Sequence, residues 1–204
     1  MQFVAILAVI SSLAWSTASE AAKYEFDSSD GSVTFHNIAS LHTFDGVAKE
    51  FGGVFDSDLG TGRLVVQTRS MTTNLGPRDK KMHTYCLEVE KFPTIDFNVS
   101  GVAGLSLLNS EGKQGRVTLQ GELTIRDVTK PVAVQTSFST EESHLKLEGE
   151  IGFKWTEFEV PDPSIFISTL YPDMSVKFSI KLANPAPQPS QEVPTDKAAD
   201  ETTE

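Results

Sequence analysis

Val117-Thr118-Leu119-Gln120-Gly121-Glu122-Leu123-Thr124-Ile125-Arg126 is the stretch that decides the fold. Its odd positions are apolar or glycine and its even positions polar, the period of two that sends successive side chains to opposite faces of a strand. The alternation spreads outward from there. Val132, Val134, Thr136 and Phe138 oppose Ala133, Gln135 and Ser137; Leu145, Leu147, Gly149, Ile151 and Phe153 oppose Lys146, Glu148, Glu150 and Gly152. Met174, Val176, Phe178, Ile180 and Leu182 oppose Ser175, Lys177, Ser179 and Lys181. Shorter versions occur at Tyr24 and Phe26, Val33 and Phe35, Phe51, Gly53 and Phe55, and Ile95, Phe97 and Val99. The pattern predicts about eight strands, divided by turn clusters such as Ser28 to Gly31 and Asp56 to Gly62. A sheet apolar on one side only must close on itself or pack on a second sheet. Barrel and sandwich share that requirement.

The period breaks between Arg78 and Lys91, a charged stretch before Phe92 and Pro93 that reads as a short helix or compact loop. At the N-terminus, Met1 to Trp15 is apolar and uncharged and is followed by small residues, the layout of a secretory signal peptide over 1–19. Cleavage is expected between 18 and 22, and no stable membrane span is expected after it, because the run is shorter than the roughly 20 apolar residues a spanning helix needs. Asn184 to Glu204 holds four prolines and a polar acidic end, too little apolar surface to fold, and reads as a disordered Pro-rich acidic tail. One domain, residues 23–183, lies between.

Net charge is −11, which argues against nucleic acid or anionic membrane surfaces as partners. Part of that charge sits in the tail. Cys86 is the only cysteine, so no intramolecular disulfide forms; pairing with a second chain, and so a homodimer, stays open, beside the plainer reading of a small buried side chain.

Apolar inward positions alone do not indicate a ligand, since every core has them. An eight-stranded barrel, however, is just wide enough to be filled by side chains or to hold one small ligand. Gly53, Gly121 and Gly149 at inward phase either leave space or mark bends. Catalytic and metal chemistry find little support. His36, His42, His83 and His144 lack zinc-helix spacing, and there is no nucleophile elbow or phosphate-binding glycine loop, so no metal, cofactor or catalytic residue is expected. His36 is out of phase with Phe35 and should face solvent, while His42 near Phe44 could line an opening. An enzyme would need a polar cluster facing inward, and the phase offers only Thr68 and Thr136.

Several segments, in order, resemble the YceI-like family of exported polyisoprenoid- and lipid-binding proteins. Tyr24, Glu25, Phe26 and Asp27 lead to Ser32, Val33, Thr34 and Phe35, then Phe44, Asp45 and Gly46, then Phe51, Gly52 and Gly53. Ser70, Met71, Thr72, Thr73 and Asn74 precede Arg78 and Asp79. The two most specific stretches are Leu87 to Phe97 and Gly121 to Val132. Where the family usually has a His shortly after the Arg-Asp pair, this chain has Lys81.

The resemblance implies an all-β, eight-stranded antiparallel lipocalin-like barrel with an apolar tunnel for a long-chain isoprenoid or other lipid. Strand phase then nominates the lining: Phe35, Phe44, Phe51, Phe55, Ile95, Phe97, Leu119, Leu123, Val134, Phe138, Leu147, Ile151, Phe153, Phe178 and Ile180. Arg78 either receives a polar head group at the mouth or ties down the loop while Asp79 caps the short helix; the structural alternative carries more weight. The expected function is non-enzymatic carriage or sequestration of such a lipid in the periplasm or another secreted location. The alternative is an exported stress-response or protein-interaction module whose barrel is only a scaffold. Deleting residues 184–204 separates them: lipid binding is expected to survive the deletion, whereas partner binding through the tail would be lost in a pull-down.

Overall fold

The computed structural model describes residues 23–108, 113–141, 144–164 and 168–183. The expected leader and acidic tail fall outside the described residues. Eleven strands form one antiparallel sheet: β1 (Lys23–Asp27), β2 (Gly31–Ala39), β3 (Thr43–Ala48), β4 (Phe51–Asp56), β5 (Thr61–Gln67), β6 (Met71–Thr72), β7 (Thr94–Ala103), β8 (Gln114–Ile125), β9 (Val128–Glu141), β10 (His144–Lys154) and β11 (Leu170–Ala183). Their spatial order is β1-β4-β5-β7-β8-β9-β10-β11-β2-β3-β6.

The count exceeds the expected eight because β3, β5 and β6 carry weak alternation. On β3 the inward residues after Phe44 are only Gly46 and Ala48, β5 runs Leu64, Val65 and Val66 without a polar break, and β6 has two residues. Pairing comes instead from neighbours already in place: β5 lies between β4 and β7, and β3 between β2 and β6.

Inward side chains make two contiguous apolar clusters. The larger includes Tyr24, Phe51, Phe55, Leu119, Phe138, Leu145, Leu147, Ile180 and Leu182. The smaller joins Cys86, Leu87 and Val89 to Leu123, Ile125 and Phe158. The space that inward glycines could have left is already taken. A Cβ on Gly53 or Gly121 would collide with the backbone carbonyl of Arg63 or Asn98, and one on Gly149 would strike the Phe178 ring. These glycines permit close approach rather than leaving a void.

β8 turns into β9 through Arg126 and Asp127, with Ile125 opposite Val128 and Arg126 in the left-handed region at φ 59°. Two-residue turns of this hand match strand twist. The Arg126 side chain then straps the turn, donating to the Glu159 carbonyl at 2.7 Å and pairing with Glu88.

β9 pairs with β10 only from Gln135 onward, so residues 128–134 have β8 alone as neighbour. Pro131, lacking an N–H, sits in this half-paired stretch. Beside it β10 ends in a 3₁₀ turn, Trp155–Phe158, whose Phe158 is only 1 % exposed. Its ring meets Phe153 edge-on at 5.2 Å, and Trp155 Nε1 donates to the Tyr171 carbonyl at 2.9 Å.

The aperiodic stretch overlaps helix α1 (Gly76–Lys81), which carries Pro77, a residue preset for a first helical turn, near its start and continues as a wider turn through Met82–Cys86. It starts two residues before the expected Arg78. Asp79 therefore lies inside the helix, and no side chain caps the helix start. A second short helix, α2 (Leu105–Leu108), follows β7.

Phe158 closes the gap where β9 and β10 part, so Phe158→Ala should cost about 3–5 kcal/mol, measurable by urea denaturation.

Candidate functional site

Between the two clusters the curled sheet leaves a cavity of about 480 Å³. Its walls come from β2, β3, β5, β7 to β11 and the α1 segment, and are overwhelmingly apolar. Of the residues nominated from strand phase, Phe35, Phe44, Ile95, Phe97, Leu123, Val134, Ile151, Phe153 and Phe178 line it. Phe51, Phe55, Leu119, Phe138, Leu147 and Ile180 do not; they belong to the larger packed cluster. Alternation tells inside from outside, but not how far along a strand the interior stops being filled.

Other lining residues carry weaker sequence signals. Leu64 and Val66 share the inward phase of β5, but Val65 between them masks it. Leu75 and Pro77 lie just before the aperiodic segment, Met82, Cys86 and Leu87 within it, and Val160 and Pro163 follow the 3₁₀ turn. No period could have nominated these.

Polar residues gather along the α1 side. Arg78 lines the cavity with its guanidinium carbon 4.0 Å from the centre of the Phe44 ring, a cation–π arrangement. Its Nε donates to Thr73 Oγ1 at 2.7 Å and an Nη to the Thr73 carbonyl at 3.0 Å. Asp79 accepts from Thr72 Oγ1 at 2.6 Å, from Thr73 N at 2.7 Å and from the Thr73 hydroxyl. Burial works against its charged form, but the hydrogen bonds from Thr72 and Thr73 outweigh it and hold the carboxyl below its ordinary value. Together the Arg-Asp pair pins α1 to the end of β6.

Lys81 bridges to the far wall, donating to the carbonyls of Pro163 at 2.6 Å and Ser164 at 3.1 Å. It holds the segment after the 3₁₀ turn against α1. His42 stands 6.0 Å from Phe44, ring centre to ring centre, and also lines the cavity. His36 points outward to Asp45 at 2.7 Å, as its phase requires. His83 Nε2 engages the Met71 carbonyl at 2.7 Å, and Cys86 is a buried free thiol. Thr68 and Thr136 are buried but committed: Thr68 donates to the carbonyls of Phe92 and Pro93, and Thr136 to that of Val134. Among the described residues no cluster of His, Cys, Asp or Glu could hold a metal ion.

An antiparallel sheet curled around an apolar cavity, with a helical segment tied over one side by an Arg-Asp pair, defines a class of all-β proteins with a hollow interior. The sequence profile of the YceI-like domain matches residues 24–182. The chain belongs to the YceI-like family. Solved structures share the fold at low identity. A polyisoprenoid binding domain from Saccharophagus degradans, implicated in plant cell wall breakdown, is similar with TM-score 0.69 and 13 % identity over 81 % of this chain and 100 % of that one. Burkholderia cenocepacia BcnA is similar with TM-score 0.64 and 17 % identity over 76 % and 98 %. A Campylobacter jejuni YCEI protein is similar with TM-score 0.56 and 16 % identity over 68 % and 84 %. No curated protein matches the chain in sequence.

Cys86 in the cavity wall reports on this site. Burial pushes its thiol up to about 11 from an ordinary 9.0, with Lys81 and Arg126 offsetting only part of the effect. At pH 8 its reaction with a thiol reagent should be about a hundredfold slower in folded than in urea-unfolded protein, because the thiolate is the reacting form. As the unfolded thiol ionises and the folded one does not, Cys86 should lower stability as pH rises from about 9 to about 11. A Cys86→Ala variant should lack that decline in a denaturation series across pH.

Proposed function

We propose that this protein is a non-enzymatic carrier or sequestering protein for a long-chain isoprenoid or similar lipid, acting outside the cytoplasm after loss of its leader. The observation that carries the reading is the apolar cavity of about 480 Å³ inside the sheet. That size falls within the roughly 300–1,000 Å³ of pockets that bury most of a small ligand. An unfilled apolar cavity of this size forfeits packing contacts, so an occupant that fills it regains them.

A lipid as occupant is supported by the fold, since a solved structure of similar fold is described as a polyisoprenoid binding domain. The topology supports an eight-armed barrel. β3 passes into β4 across Lys49 and Glu50, β5 passes into β6 across Thr68–Ser70, and the two bent arms pair as β4 with β5 and β3 with β6. Counted this way, β2, β7 to β11 and these two arms make eight, with β1 added outside. The driving force would be burial, about 25 cal/mol per Å² of apolar surface, less the cost of immobilising a flexible chain. The committed hydrogen bonds of Thr68 and Thr136 support a binding rather than a catalytic interior.

Protein purified from its own host should yield one long-chain lipid per chain on organic extraction and mass spectrometry. An Ile151→Trp variant, which puts an indole into the cavity, should yield little. A wild-type protein that releases no lipid and a crystal structure with the cavity filled by side chains would reject the proposal.

A further inference from the structure

Asn37 is the polar side chain in the cavity that the fold leaves unsatisfied. It lies on β2, opposite Phe44 on β3 and Met174 on β11, both of which also line the cavity. Directly opposed residues of an antiparallel pair share a face, so the Asn37 amide and the Phe44 ring look into the same space. Asn37 is 8 % exposed, and its Oδ1 is buried with no hydrogen-bond partner among the described residues. A buried acceptor without a donor is destabilising, and an apolar residue of similar shape would fit this wall without that cost.

The neighbouring polar groups have duties already. Arg78, stacked on Phe44, directs Nε and one Nη to Thr73, and Lys81 spends hydrogen bonds on two backbone carbonyls across the cavity. Thr73 Oγ1 is taken by Arg78 and Asp79. Both cations act as struts of the opening. Asn37 Oδ1 is a buried acceptor in this wall with no donor among the described residues.

We infer that the lipid carries an uncharged head with a hydrogen-bond donor, an O–H or N–H, which Asn37 Oδ1 accepts. The inference rests on the lipid-carrier reading and adds the chemistry of the head. A carboxylate or phosphate dianion offers only lone pairs and would set its negative charge against the Asn37 oxygen. A hydroxyl donates to Asn37 Oδ1, so it fits the polar end without adding charge to the cavity. Length and girth are then selected by the apolar wall, and head chemistry by one amide.

The test uses the full delipidated chain and displacement of a fluorescent apolar reporter by three probes of equal tail: hexadecan-1-ol, its methyl ether and hexadecanoate. The alcohol should bind about tenfold tighter than the ether, the ratio expected when one buried acceptor gains or lacks its donor, and the carboxylate no tighter than the ether. In Asn37→Leu the alcohol and ether should bind alike, and the ligand-free variant should melt no lower than the wild type. The wild-type comparison stands even if the variant fails to fold. Equal displacement by alcohol and ether, or tightest binding of hexadecanoate, overturns the head assignment while leaving the carrier reading intact. Displacement by none of the three overturns both.

Discussion

A strand that is apolar on one face and polar on the other has no stable flat sheet to join in water, and the whole molecule follows from that constraint. Each of the long strands β8 to β11 buries one side in this way. With all strands in one sheet, that face is buried by curling until it looks at itself. Curling this many strands encloses an interior that side chains can fill or leave partly open for a small ligand. At one end Phe51, Phe55, Phe138 and Leu145 fill it; toward α1 the filling stops and a cavity remains.

The unfilled end then needs a wall that the strands cannot supply, because β9 and β10 part company before it and β6 is only two residues long. α1 and the Trp155–Phe158 turn provide it, and both are held by polar ties to backbone rather than by packing alone. Asp79 fastens α1 to Thr72 and Thr73, Lys81 fastens it to Pro163 and Ser164, and Arg126 fastens the β8–β9 turn to Glu88 and Glu159. Such ties cost little apolar volume. They let a segment cover the cavity while leaving it open inside.

This division explains how chains only 13–17 % identical can share the fold. Curling demands alternation and not particular side chains, so most inward positions accept any apolar residue that fits. The ties are stricter, since they need specific donors at specific turns. Lys81 meets that need here by reaching carbonyls across the opening. Asn37 stands outside both demands: it neither packs as an apolar residue would nor joins a tie.

The sequence by itself determined that the protein is an all-β domain and which side of each long strand faces inward, because a period of two is a local property that survives in any sheet; it left a closed sheet and two packed sheets equally open. It also located the Arg78-Asp79 segment as a break in that period, and set the order of family-like stretches. It did not reveal β3, β5 and β6, whose inward residues are small, unbroken or too few to show a period. Nor did it divide the inward residues into those that pack, such as Phe51 and Leu147, and those that line the cavity, such as Phe97 and Val134. That division was decided by tertiary structure alone, for a physical reason. Whether an inward side chain meets another depends on how strands far apart in sequence diverge across the interior, and on which loop crosses the space between them.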